Sequence, residues 1–454
     1  MSQLSSHVSR EALVKSLESL TGRKDVELLD FQVQRASNAV EGFASLVLRV
    51  KVSYRLPGND NIDSHALIVK SLPQTEFQKN FVRTTDIFSR EWLVLSRIAP
   101  MMKSISAGRV EVPLPTCYHG ICDSDDSAFY MDDLVALGYR AVHRSSLMDG
   151  LDYAHCSIVM KRLGCLHALT LAAERALDPG SGGWAGLFPE LTQDKVYYDP
   201  GPGDPPAPAQ TMIASMLQNF KDICGQIDGL PKMAVASGAL DRVLQGVYPT
   251  LCRLKQTPPV GRHVLTHGDC WMNNMMFRYK KGDKAADEPA DVKFFDLQLA
   301  KCCHPSTDLL YFMHLSTRRP LREKYLNTLI EEYYGSFTES LKTLEKGSPP
   351  FSLEDFKADY MEKYKPYGLI VGVLYSPLQM LGDDFLLPNA EDLTNEKVEQ
   401  FFQDGGTQKI MNRFQIDSIY RSYVKEIARE FLDMALPYGL ESVESSPLLV
   451  TPVN

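Results

Sequence analysis

Between Ser45 and Arg55 apolar and polar residues alternate. Leu46, Leu48, Val50, Val52 and Tyr54 fall on one side, and Arg49, Lys51, Ser53 and Arg55 on the other, which predicts a half-exposed strand. The run H-A-L-I-V-K from His65 to Lys70 predicts a second strand that ends in lysine. Two more are expected at Pro115 to Tyr118 and Ala128 to Met131. Helical spacing surrounds these runs. Leu13, Val14, Leu17 and Leu20 make one stripe, with Ser9 placed to cap the helix and Gly22 to end it. Thr84 to Ala99 sets Phe88, Trp92 and Leu95 on one face, with Pro100 as the stop signal.

From Tyr153 onward the period is mostly helical. Tyr153 to Glu174 carries Val159, Leu163, Leu166 and Leu169, and His167 among them reads as a hydrogen-bonded core residue. Further helices are expected at Thr211 to Ile227, Ala234 to Lys255, Leu321 to Leu344, Leu353 to Leu381 with kinks near Pro366 and Pro377, Asn395 to Gln403 and Asp417 to Leu436. The Pro- and Gly-rich stretch Asp178 to Gln210 argues against regular helix or sheet. The tail after Gly439 reads as disordered.

One segment breaks the helical pattern. Val264-Leu265 and Val292 to Phe295 are short apolar runs, and Asp269 and Asp296 lie just beyond them. Asn274 follows Asp269 in the spacing H-G-D-x-x-x-x-N, and a polar hairpin tip separates the two runs. Carboxylates just past strand ends project into a cleft while the strands hold the backbone still. An Asp and an Asn in one loop, with a second Asp after the next strand, suit phosphoryl transfer with Mg²⁺: one carboxylate orients the attacking hydroxyl, and an amide oxygen and the other carboxylate hold the cation. Each Asp alone is equally well read as a turn cap. Ser306 to Leu315 is expected to form a helix, with Ser306 as cap and Pro305 just outside.

The ordered set H-G-D-C-W-M-N-N, F-F-D-L-Q and D-L-L-Y-F resembles the ecdysteroid kinase-like family, within the wider group of choline and aminoglycoside kinases. The resemblance implies an α+β, two-lobed protein kinase-like fold: a small antiparallel β-sheet N-lobe over residues 1–134, a larger mostly helical C-lobe over 135–438, and a disordered tail over 439–454. It implies ATP and Mg²⁺ as cofactors. Asp269 is the expected catalytic base, Asn274 and Asp296 the metal ligands, and His267 and Asp308 structural braces of the loop. On the nucleotide side it implies a phosphate loop at Gly42, Phe43, Ala44 and Ser45, which on sequence alone is an ordinary hairpin turn. It further implies Lys70 on the phosphates, Glu91 or, as runner-up, Glu76 as the partner of Lys70, and hinge residues Asp132, Asp133 and Leu134 beside adenine.

The implied acceptor is a small hydroxylated molecule, an ecdysteroid or similar lipophilic alcohol. A cationic choline- or aminoglycoside-type acceptor is the alternative, as is a pseudokinase that binds a ligand without turnover. The 178–210 stretch either borders the acceptor pocket with Trp184, Phe188, Tyr197 and Tyr198 or is a linker that touches nothing.

Composition narrows the classes. Hydrophobic content of 44% and charged content of 23% are ordinary for a soluble globular protein, and a net charge of -9 argues against a general nucleic-acid binder. The nine cysteines are odd in number and lack C-x-x-C spacing, which suggests reduced thiols in the cytoplasm; Cys270 inside the motif reads as a small filler. The first residues lack an apolar signal core, and Tyr367 to Tyr375 falls far short of the roughly 20 residues of a membrane span. His304 and His314 have no partner at zinc spacing. Oligomeric state is not encoded in any of these patterns.

Overall fold

The alternation from Leu46 to Tyr54 buries those five residues in one face of a strand, β2, over Leu46–Arg55. The computed structural model describes residues 4, 7–36, 44–58, 60–122, 127–142, 146–227, 238–259, 261–280, 288–382, 394–396, 399–400 and 406–436. With β1 at Glu27–Arg35, β3 at Ile62–Ser71, β4 at Cys117–Ile121 and β5 at Ala128–Asp132, β2 forms a five-stranded antiparallel sheet in the order β1-β2-β3-β5-β4. The helix Arg10–Thr21 covers one face through Leu13 and Leu17. Ser9 caps that helix and Gly22 ends it at φ 66°. Because side chains alternate along a strand, Leu67 and Val69 of β3 enter this cluster while Lys70 points to the opposite face.

That opposite face meets a helical run that begins before the expected one and continues past it. Glu76–Thr85 is a separate helix, and Ile87–Leu93 passes through a π-helical turn at Val94–Ile98 into Ala99–Ser106. Pro100 therefore does not stop the helix. It follows closely on the π-helical turn, whose wider i→i+5 bonding (Ala99 N–H to the Val94 carbonyl) carries the chain through the proline without a stop. β1 was not anticipated, and β4 lies two residues beyond the expected Pro115.

The remainder is mostly helical. Helices Tyr153–Arg175 and Arg319–Thr343 pack so closely that a Cβ on Gly164 would lie 2.6 Å from the Tyr333 carbonyl oxygen. Tyr153–Arg175 is the one helix among the described residues long and apolar enough to cross a membrane, and 72% of its most apolar window is buried inside the protein. Gln210–Cys224, Lys365–Gln379 and Ser418–Ala435 pack against one another, and Lys365–Gln379 also packs on the helix Ser306–Ser316. The kink before Pro366 is a π-helical turn at Asp359–Tyr364. The expected single helix up to Lys255 is two, Ala239–Gln245 and Val247–Leu254, interrupted at Gly246. Thr407–Ile416 is an additional helix. The 178–210 stretch contains short helical turns at Pro179–Ser181, Gly183–Leu187 and Pro189–Leu191. Trp184 there is fully buried and donates its indole N–H to the Thr170 carbonyl, so it is core and not a pocket wall.

Two small ladders carry the motif residues. β6 at Val264–Thr266 pairs with β9 at Lys301–Cys303, and β7 at Met275–Tyr279 pairs with β8 at Pro289–Phe294. The helix after β9 runs over Ser306–Ser316 with Pro305 at its cap position. Ser306 is thus inside the first turn and makes no cap, while the Thr307 hydroxyl donates to the His304 carbonyl at 2.8 Å.

Candidate active site

Lys70 leaves the sheet on the side facing the helix Ile87–Leu93. Its Nζ lies 2.5 Å from Glu91 Oε2 and 2.7 Å from Asp296 Oδ1. Burial opposes the lysine's charge, but the two carboxylates outweigh it and hold its pKa above the ordinary value. Burial is also the largest influence on Glu91, whose pKa rises to about 7 despite the adjacent ammonium. Glu76 instead meets Lys79 at 2.8 Å, so Glu91 is the partner of Lys70.

The loop after β6 is shaped by Gly268. Its φ is 81°, and a Cβ there would lie 2.0 Å from the Leu299 carbonyl oxygen, so no other residue fits. Asp296, one residue beyond Phe295, also has a left-handed backbone, φ 65°, which aspartate tolerates better than most side chains. His267 links the two loops: its Nε2–H donates to the Phe295 carbonyl at 2.9 Å, and its Nδ1 accepts from the Asp269 N–H at 3.3 Å. The Phe295 N–H in turn donates to the Asn274 carbonyl at 3.0 Å.

The fully buried Asp308 anchors this arrangement. Its carboxylate accepts from the backbone N–H of His267 at 2.6 Å, from that of Gly268 at 2.9 Å, and from His167 Nε2 at 3.1 Å. Burial alone would raise the Asp308 pKa, but these donors hold it below the usual carboxylate value. His167 also meets the Tyr333 hydroxyl at 2.8 Å, which makes it a hydrogen-bonded core residue.

Asp269 is held at both oxygens. Asn274 Nδ2 donates to Oδ2 at 2.8 Å, and the Tyr311 hydroxyl donates to Oδ1 at 2.7 Å. Burial and the charge of Asp296 push the Asp269 pKa up, against the pull of these donors. Asn274 Nδ2 also reaches the Asp269 carbonyl at 3.0 Å, so the amide turns its oxygen away from Asp269. Asp269, Asn274, Asp296, Lys70 and Glu91, dispersed in sequence, therefore converge.

At the expected hinge, Asp132 closes β5 and its carboxylate accepts from the Thr116 N–H at 2.8 Å and the Tyr118 hydroxyl at 2.5 Å. Asp133 is clamped by Arg49 at 2.6 Å. The Asp132 N–H and the Asp133 and Leu134 carbonyls are engaged within the protein. Ala44 and Ser45 are buried just before β2, and Gly42 and Phe43 lie outside the described residues, as do 439–454.

Sequence reasoning named D-L-L-Y-F but gave a role only to Asp308. Tyr311, three residues on, shares its helix face and was the available signal. The Tyr197 and Tyr375 hydroxyls, 2.9 Å apart, were missed as a pair. Tyr197 is also stacked under the Lys255 ammonium at 4.0 Å. His304 lies flat on Tyr364, ring centres 4.4 Å apart, and burial lowers its pKa to about 3.

No curated protein matches the chain. A solved structure, the GDP complex of wild-type aminoglycoside 2'-phosphotransferase-IIIa, is similar over 93% of this chain and 98% of that one, at 12% identity and a TM-score of 0.35. Residues 39–346, more than half the sequence, match the ecdysteroid kinase-like family, and the chain belongs to that family.

Proposed function

We propose that the protein is an ATP- and Mg²⁺-dependent kinase that phosphorylates a hydroxyl of a small lipophilic alcohol of the ecdysteroid class. The observation that carries this reading is the convergence of the Lys70–Glu91–Asp296 ion-pair chain with the Asp269–Asn274 pair. Asp269 orients the acceptor hydroxyl and takes its proton. The acceptor oxygen bonds to the γ-phosphorus as the bond to the departing ADP oxygen breaks. Lys70, fixed by Glu91, meets the non-transferred phosphates. The protein contributes position and prearranged charge.

The residues present suit Mg²⁺. Asp296 neighbours both Asp269 and Glu91, and the Lys70 ammonium meets Asp296 and Glu91. No three His, Cys, Asp or Glu converge as a metal cage among the described residues. An amide oxygen plus a carboxylate suits a hard cation that completes its shell with water and phosphate. Asn274 and Asp296 would hold it, and it would supply positive charge to the phosphate oxygens. A cytoplasmic location belongs to the same proposal and rests on the odd number and scattered spacing of the nine cysteines.

A second reading, a cationic acceptor, draws on the phenol rings beside Asp269. The Tyr311 ring centre lies 6.5 Å from that of Tyr367 and 6.4 Å from that of Tyr375, and such faces attract cations. The test is Mg²⁺-dependent ATP binding followed by phosphate transfer to a panel of hydroxylated steroids, choline and aminoglycosides. Transfer to steroids is the expected result. Transfer only to the cations selects the second reading, and ATP binding without transfer to any of them points to a pseudokinase.

A further inference from the structure

The helix Ser306–Ser316 grips the Asp269 loop twice. Asp308 takes the backbone N–H groups of His267 and Gly268, and Tyr311 donates its hydroxyl to the Asp269 carboxylate at 2.7 Å. Residues three apart on a helix share a face, so the spacing D-x-x-Y makes one helical turn a two-point clamp on backbone and side chain. Tyr311 is 8% exposed and sits among other tyrosine rings, which limits its freedom to swing away. Burial and the charge of Asp269 keep the phenol protonated, so it acts as the donor.

We propose that Tyr311 is a positioning residue: its hydroxyl fixes the direction in which the Asp269 carboxylate faces the acceptor. The proposal rests on the reading of Asp269 as the acceptor-facing base. A carboxylate offers about four lone-pair sites. Tyr311 occupies one on Oδ1 and Asn274 one on Oδ2, and the acceptor hydroxyl takes one of those that remain. With only Asn274 in place, the carboxylate is free to turn about its last bond.

Tyr311→Phe keeps the ring and removes the donor. Crystal structures of the wild-type protein and this variant are compared, alongside ADP release from Mg²⁺-ATP with water or a hydroxylated steroid as acceptor. The expected result is a carboxylate turned from its wild-type direction and a kcat about tenfold to a hundredfold lower, with KM for ATP unchanged. A carboxylate that keeps its direction overturns the proposal. A loss that falls equally on ATP binding also overturns it, because that marks a merely structural role. Asp269→Asn is measured in parallel. If it retains full ADP release, the base reading fails, while the crystallographic comparison still decides whether Tyr311 orients the carboxylate.

Discussion

The loop after β6 presents Asp269 to a phenol and an amide; the loop after β8 presents Asp296 to an ammonium. Asp269 is surrounded by neutral donors, and burial together with its acidic neighbour raises its pKa. The Asp296 side chain is 23% exposed and paired with Lys70. Two carboxylates in adjacent loops thus sit in different surroundings, and on the proposed kinase reading the first takes the acceptor proton and the second holds the cation.

The largest expected effect separates the two loops directly. Asp269→Asn lowers kcat by about a thousandfold and leaves Mg²⁺-ATP affinity unchanged by calorimetry. Equal damage to binding and turnover would erase the distinction between the loops. Next, Asp296→Asn weakens Mg²⁺-dependent ATP binding by about tenfold to a hundredfold; a metal titration that matches wild type breaks the assignment.

The smallest effect concerns stability, and its sign differs between neighbouring acids. Asp308 has a depressed pKa, so its contribution is present above the unfolded value of about 3.9 and is lost as pH falls through the folded value. Asp308→Asn should cost about 1–3 kcal/mol at pH 7 in urea unfolding, with the gap closing in acid. Asp269 has a raised pKa, so its ionised form is a burden on the fold at neutral pH. Asp269→Asn should therefore unfold at higher urea than wild type at pH 7, and this difference should also shrink in acid. If both variants shift in the same direction at pH 7, the contrast between them fails.

Much of this site was legible in the sequence because its parts are local. H-G-D-x-x-x-x-N spans one loop, while Lys70 and its partner, Glu91 with Glu76 as runner-up, were named through the family resemblance. Other parts were hidden for physical reasons. Pro100 gives the same signal whether it ends a helix or the helix runs through it, and the π-helical turn before it leaves no mark in composition. β9 is three residues long, too short for a period to show. β1 does alternate, from Asp30 through Phe31, Gln32 and Val33 to Gln34, so that strand was legible although it was not assigned. The contact from Tyr311 to Asp269 crosses between two elements, and local spacing does not report a tertiary contact. The turns within 178–210 depend on packing of Trp184 into the core, which outweighs the weak helix preference of Gly and Pro.

The Asp308 carboxylate joins the Asp269 loop, through His167 and Tyr333, to both long helices of the C-terminal part, which run parallel to each other. The loop thus inherits the stiffness of the scaffold's thickest beam. On the proposed kinase reading, adaptation to differently shaped acceptors has to come from surfaces that are not bolted to that beam. Changes in substrate range and changes in chemical competence then become separable properties of the chain.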